Sequence, residues 1–100
     1  MEANAYTVQK LARQYWVTRL ASEGDEAVGE GLHVDSTPLG SVACAILHDR
    51  GYATRTEVAE AFAARFLDPL QRLPHGVITI ATSKIDDWAN TEALRAGAPR

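Results

Sequence analysis

The chain has a single cysteine, Cys44, in 100 residues, so no intrachain disulfide can form. No apolar run approaches the roughly 18 residues that a membrane-spanning helix needs. The opening MEANAYTVQK lacks the basic segment followed by an apolar one that marks a secretory signal. These absences fit a cytoplasmic protein with no membrane contact. Basic residues are scarce and scattered, ten Lys and Arg against thirteen Asp and Glu, for a formal net charge of −3. Generic affinity for nucleic acid comes from neutralising phosphates with Lys and Arg. The balance therefore argues against a non-specific polyanion binder, although a local patch can still exist on an acidic chain. Large aromatics are also few: two Trp, three Tyr and two Phe. Much of the remaining apolar content is alanine, which favours helix but fills little core volume. Either the helices meet through small residues, or a partner supplies part of the burial.

The length is that of one domain, expected over residues 1–100 with fraying at 1–4 and 98–100. Eight of the ten basic residues are arginine. With the alanine richness, this points through codon bias to a GC-rich bacterial or phage genome.

Residues 5–22 read as a first helix, because Val8, Leu11, Ala12, Tyr15, Trp16 and Leu20 follow helical spacing and Asn4 suits an N-cap. Two residues disturb it. Arg19 falls within the apolar stripe and Val17 on the opposite face. The β-friendly YWVT offers strand as the alternative for residues 15–20. Residues 22–31 (SEGDEAVGEG) are a loop, and GLHVD is a short strand. Thr37 as cap, Pro38 at the first helical position and Gly51 past the end frame a second helix, with Leu39, Val42, Ala43, Ile46 and Leu47 on one face. A Thr54–Glu57 capping box opens a third helix, 55–67, with Val58, Ala61, Phe62 and Phe66 along one side and Arg65 as the polar exception. Pro69 disfavours helix at Asp68, though residues 69–73 have room for one more turn.

HGVITIATS is the clearest strand, β-branched throughout, with apolar residues on both faces that predict burial on both sides. The last helix starts near Ser83 and stops before Gly97, with Ile85, Trp88, Ala89 and Ala93 on one face and Leu94 off it. The expected fold is thus α+β and mostly helical, with about four helices and a small two- or three-stranded sheet. So little sheet is marginal in water. Strand 77–82 needs helices over it, further strands elsewhere in the chain, or a strand from another molecule.

Three function classes can be weighed. Helices 38–50 and 55–67 across Gly51 resemble a helix-turn-helix, but in pattern only. The position four before Gly51 is the large Leu47, and the position six after it is Glu57 where an apolar residue belongs. A winged-helix register over residues 38–82 leaves about one turn between Pro69 and Pro74 to read base edges, offering Gln71 and Arg72, with Arg55 on the preceding helix. Chemistry has little to work with. Cys44 and His48 share a helix face, but no third group, oxyanion donor or further ligand joins them with recognisable spacing. A half-buried cysteine and a surface histidine account for the pair. The loop carboxylates Glu23, Asp25, Glu26 and Glu30 lack the alternation of a calcium loop. Asp86 and Asp87 suit a helix start without any catalytic task. There is no glycine-rich phosphate cradle and no nucleophile elbow.

The remaining class is a non-catalytic protein–protein interaction module without cofactor or metal. It would be a small bacterial or phage regulator, inhibitor or adaptor that binds another protein. Candidate contact residues are Val17 and Leu94, which lie off their helix stripes, and Glu23, Asp25, Glu26 and Glu30, whose charge would steer a basic surface. Strand 77–82 offers an edge for pairing, including homodimerisation. Arg19 reads as a helix-end arginine whose head reaches water, or else as half of an ion pair with a loop carboxylate or as an interface residue. Arg55, Gln71 and Arg72 carry the alternative, DNA-binding reading.

Overall fold

The computed structural model describes residues 3–21, 31–35 and 38–93. A four-stranded antiparallel sheet carries three helical runs on one face. The strands are β1 (Ala5–Leu11), β2 (Gln14–Leu20), β3 (Leu32–Val34) and β4 (His75–Ala81), in the order β3-β2-β1-β4. The helical runs are α1 (Leu39–Asp49), α2 (Thr56–Phe62, continuing through Ala63–Leu67 and Asp68–Gln71) and α3 (Thr82–Trp88, continuing as Ala89–Ala93). The class is α+β as expected, but with one helix fewer and a larger sheet.

The expected first helix is a β-hairpin. Tyr6 and Val8 on β1 alternate with polar or small neighbours, Tyr15 and Val17 on β2 alternate with Gln14, the exposed Trp16 and Thr18, and all four are buried against the helices. Period-two burial wins because these strands have a helical layer on one side only. Register runs from Ala5 opposite Leu20 to Leu11 opposite Gln14, leaving Ala12 and Arg13 as the turn. Ala12 sits at φ +57°, the only positive φ of a non-glycine residue among those described. Residues 3 and 4 join the sheet ahead of β1. Ala3 is buried. Asn4 donates its N–H to the Leu20 carbonyl at 2.7 Å and accepts from the Thr82 N–H at 3.0 Å.

β1 is an interior strand, paired with β2 on one side and, over its full length, with β4 on the other. The further strands that 77–82 required are therefore in the chain itself. β3 forms within the expected GLHVD segment and pairs with β2.

α1 begins at Leu39, with Pro38 extended at the cap position, and Thr37 lies outside the described residues. Its end follows the sequence signal. Gly51 takes φ +88°, its N–H donates to His48 O at 2.9 Å, and the Tyr52 N–H donates to Leu47 O at 2.9 Å, which is the Schellman pattern. The Thr54–Glu57 capping box does not form. α2 starts at Thr56 with no side-chain cap, and the Thr54 hydroxyl donates to the Tyr52 carbonyl instead.

α2 does not end at Leu67. Pro69 cannot donate to the carbonyl four residues back. The helix widens over Ala63–Leu67 into a π-helical turn and resumes through Pro69. Its buried side is Val58, Ala59, Phe62, Ala63, Leu67 and Leu70, while Ala61 is exposed. Phe62, Phe66 and Trp88 form an aromatic cluster, with centroids 4.8 to 5.9 Å apart, that joins α2 to α3. α3 follows β4 directly, without a loop and without the expected Ser83 cap. Among the described residues, no helix is long and apolar enough to cross a membrane.

Candidate interaction surface along strand β4

Among the described residues, no helix covers the outer face of the sheet. Alternation puts Thr7, Gln9 and Leu11 of β1, Trp16 of β2, His33 of β3 and Val77 and Thr79 of β4 on this side. Trp16 stacks on His33 with centroids 4.4 Å apart. Trp16 is 39% exposed and Val77 60%, so burial of HGVITIATS on both faces does not occur. Ile80 is buried on the helix side, and Val77 faces outward.

β4 is also an edge. Its backbone orientation follows from the bonds at its two ends. The Ala12 N–H donates to Pro74 O at 3.2 Å, and the Thr82 N–H donates to Asn4 O at 3.0 Å. Positions 74 and 82 thus face β1. Since backbone groups alternate sides along a strand, Gly76, Ile78 and Ile80 also bond to β1, while His75, Val77, Thr79 and Ala81 aim their N–H and C=O groups off the sheet. Exposed edges are ordinarily blunted by shortness, charge, proline or a bulge. The opposite edge, β3, is only three residues long. β4 is seven residues long and carries no Lys, Arg, Asp, Glu or Pro.

A groove of about 520 Å³ adjoins this strand, walled by Thr79, Ile80 and Ala81 of β4, by Arg65, Phe66 and Pro69 of α2, by Lys84 of α3 and by Ala5 of β1. Its volume lies within the roughly 300–1,000 Å³ typical of ligand clefts. The Arg65 guanidinium lies 4.8 Å from the centroid of the Phe66 ring, a cation–π arrangement. Arg65 and Lys84 also line an adjoining hollow with Asp87 and Trp88.

On the helix side, a polar seam links the sheet to α1 and α3. Asp49 accepts from the Tyr6 hydroxyl and from Arg19 Nε at 2.9 Å, and pairs with Arg19 at 2.8 Å. Arg19 hydrogen bonding holds the Asp49 carboxyl below its usual range against the opposing effect of burial, with the Tyr6 hydroxyl adding to the depression. Burial pushes the Tyr6 hydroxyl up, and its bond to Asp49 pushes it further. Arg50 bonds Asp86 at 2.8 Å, and Tyr52 donates to Asp86 at 2.7 Å. Burial, then the Asp86 bond, push Tyr52 up to about 12. Burial raises the Asp86 carboxyl, but the bonds from Arg50 and Tyr52 outweigh it, and the net shift is downward. Every one of these groups has its partner inside the protein, so the seam is structural.

The structure disperses the residues singled out from sequence. Val17 is in the core under the helices. It looked misplaced only on a helix that does not exist. Glu23, Asp25, Glu26, Glu30 and Leu94 lie outside the described residues. Arg19 points to the core side of β2 and pairs with Asp49, while the loop carboxylates lie outside the described residues. Arg55 precedes the first residue of α2 without capping it, whereas Gln71 and Arg72 are at the far end, about 25 Å away at 1.5 Å per residue. The strand assigned to a wing is bonded along its length to β1. Cys44 is half-buried and His48 exposed, and no group of three or more His, Cys, Asp or Glu gathers in metal-binding geometry among the described residues. Sequence reasoning located the β4 edge but missed Arg65, Phe66 and Lys84 as neighbours of it. The one signal was Arg65 itself, a charge within an otherwise apolar stripe. No family model, no curated protein and no solved structure matches the chain.

Proposed function

We propose that the protein is an interaction module, a regulator, inhibitor or adaptor without chemistry of its own, that pairs strand β4 with an extended segment of another chain. The observation that carries this reading is the unblunted edge, in which Val77, Thr79 and Ala81 aim their backbone donors and acceptors away from the sheet. Added strands gain main-chain hydrogen bonds from such an edge and specificity from side-chain pockets beside it, and the groove adjoins this one.

Thr79→Pro tests the proposal. Its N–H faces outward, a position where proline is compatible with an edge strand. The variant therefore keeps the β1–β4 ladder and loses one pairing donor. Wild type and variant are compared by sedimentation velocity and by capture of partners from a lysate of the source cell. The expected result is an association, with itself or with a second protein, that wild type shows and a folded Thr79→Pro variant loses. A monomer that retains nothing, or a partner retained equally by both proteins, refutes the proposal.

A further inference from the structure

Resting on the edge-pairing reading, we infer that the segment received by β4 is an acidic, extended stretch of a partner protein and not a second copy of this chain. The groove beside the edge carries Arg65 and Lys84 over apolar walls formed by Phe66, Pro69 and Ile80. Neither cation is ion-paired with another described residue. Arg65 is positioned by the Phe66 ring, and that ring is fixed by Phe62 and Trp88. Asp87 lines the adjoining hollow with the same two cations, which leaves the rim with an excess positive charge on a chain whose net charge is −3.

Three chemistries compete for this site. A phosphodiester backbone only accepts hydrogen bonds from protein donors, whereas β4 presents N–H and C=O groups in alternation. A peptide backbone matches both. A second copy paired antiparallel through β4 would place both helical layers on the same side of the joined sheet. The incoming strand would then be β4 itself, which carries no Asp or Glu to meet Arg65 and Lys84. A carboxylate-bearing strand meets the same cations favourably. Side chains alternate along a strand. The preferred segment thus sends an apolar residue towards Phe66 and Pro69 and, two residues along, an Asp or Glu towards Arg65 and Lys84.

A displayed library of random linear peptides, selected on the full chain, tests this. Enriched sequences are expected to hold an apolar residue and an acidic one at i and i+2, without proline between them. A fluorescein-labelled peptide of the enriched sequence, followed by anisotropy, is expected to lose roughly tenfold or more in affinity on Arg65→Glu or Lys84→Glu, and to bind more weakly as salt rises. Binding is also expected to shift the amide resonances of Val77, Thr79 and Ala81, a readout that needs no variant. Val77→Pro replaces Thr79→Pro should the latter fail to fold. Enrichment without acidic residues, or peptides that bind the charge-reversed variants unchanged, overturns the inference. Concentration-dependent dimerisation abolished by Thr79→Pro also overturns it, and leaves edge pairing standing. Peptide binding that is indifferent to proline at both 77 and 79 removes edge pairing itself.

Discussion

Replacing Asp49 by alanine is the sharpest test of how the sheet is held to its helices. Its carboxylate is the acceptor for the Tyr6 hydroxyl on interior strand β1 and for Arg19 on β2. The side chains of Arg19 and Asp49 are 25% and 18% exposed, so the pair is mostly but not fully withdrawn from water. Breaking a fully buried pair costs about 3–5 kcal/mol, whereas exposed pairs contribute about 0–1 kcal/mol. Arg19 keeps some access to solvent, which places its share near the middle, about 2 kcal/mol on those scales. Tyr6 is fully buried, and a buried hydroxyl without a partner costs about 1–3 kcal/mol; Arg50 stays beside it when Asp49 is removed, so the lower end, about 1 kcal/mol, applies. Together Asp49→Ala is expected to lose about 3 kcal/mol. At roughly 4–8 °C per kcal/mol for a domain of this size, the transition falls by about 12–24 °C. Urea unfolding of Asp49→Ala, Tyr6→Phe and the double variant measures both the loss and the coupling.

The same carboxyl carries a pH signature. Its folded-state value is depressed, so the protein stabilises the ionised form. That stabilisation is full above the unfolded-state value of about 3.9 and disappears as pH falls through the folded-state value. Asp49→Asn should therefore flatten the acid limb of the stability profile. A loss below about 1 kcal/mol for Asp49→Ala, with no coupling to Tyr6, would falsify the reasoning, since the pair would then behave as an ordinary surface contact.

Three other outcomes follow from the geometry. Ala12→Gly relieves a left-handed residue in the hairpin turn, and the transition midpoint should rise by the equivalent of about 0.5–1 kcal/mol. An unchanged or lower midpoint contradicts the strain. Tyr6, Tyr15 and Tyr52 all have raised hydroxyl values. Folding thus favours the protonated forms, and this stabilisation is complete below the unfolded value of about 10 and declines as pH climbs above it. Phenolate absorbance should appear together with loss of the folded circular dichroism signal, and ionisation near pH 10 in a protein that stays folded counts against it. Finally, Trp16 is 39% exposed and Trp88 only 7%. Acrylamide should quench one emitting population readily and the other poorly, and Trp16→Phe should remove the first. Equal quenching of both contradicts the open sheet face.

The parts of the fold that could be read from sequence are those whose local chemistry agrees with the tertiary outcome. Gly51 ends α1 because only a residue without Cβ adopts its φ at no cost. HGVITIATS is strand because β-branched residues favour it. The hairpin was hidden by coincidence. Val8, Leu11, Ala12 and Tyr15 happen to repeat at helical spacing. The turn that separates the two strands is Ala-Arg, without the Asn-Gly or Asp-Gly signature of two-residue loops. Arg19 was readable as an anomaly, but its partner Asp49 is thirty positions away in sequence and no local pattern names it. The candidate site divides in the same way. The unpaired edge of β4 follows from one segment, whereas the neighbourhood of Arg65, Phe66 and Lys84 exists only once α2 turns through Pro69 and α3 departs directly from β4.

The pairing of β1 with β4 governs how this chain comes into being. Val8 lies opposite Ile78, and a ribosome adding about 5–20 residues per second takes roughly 4–14 s to travel between them. Throughout that interval β1 has a neighbour on only one side. Its backbone groups on the other side must stay with water, or with a chaperone, until the last strand is synthesised. Fragments truncated before residue 75 therefore keep β1 open on that side and lack the long-range closure, which exposes them to aggregation.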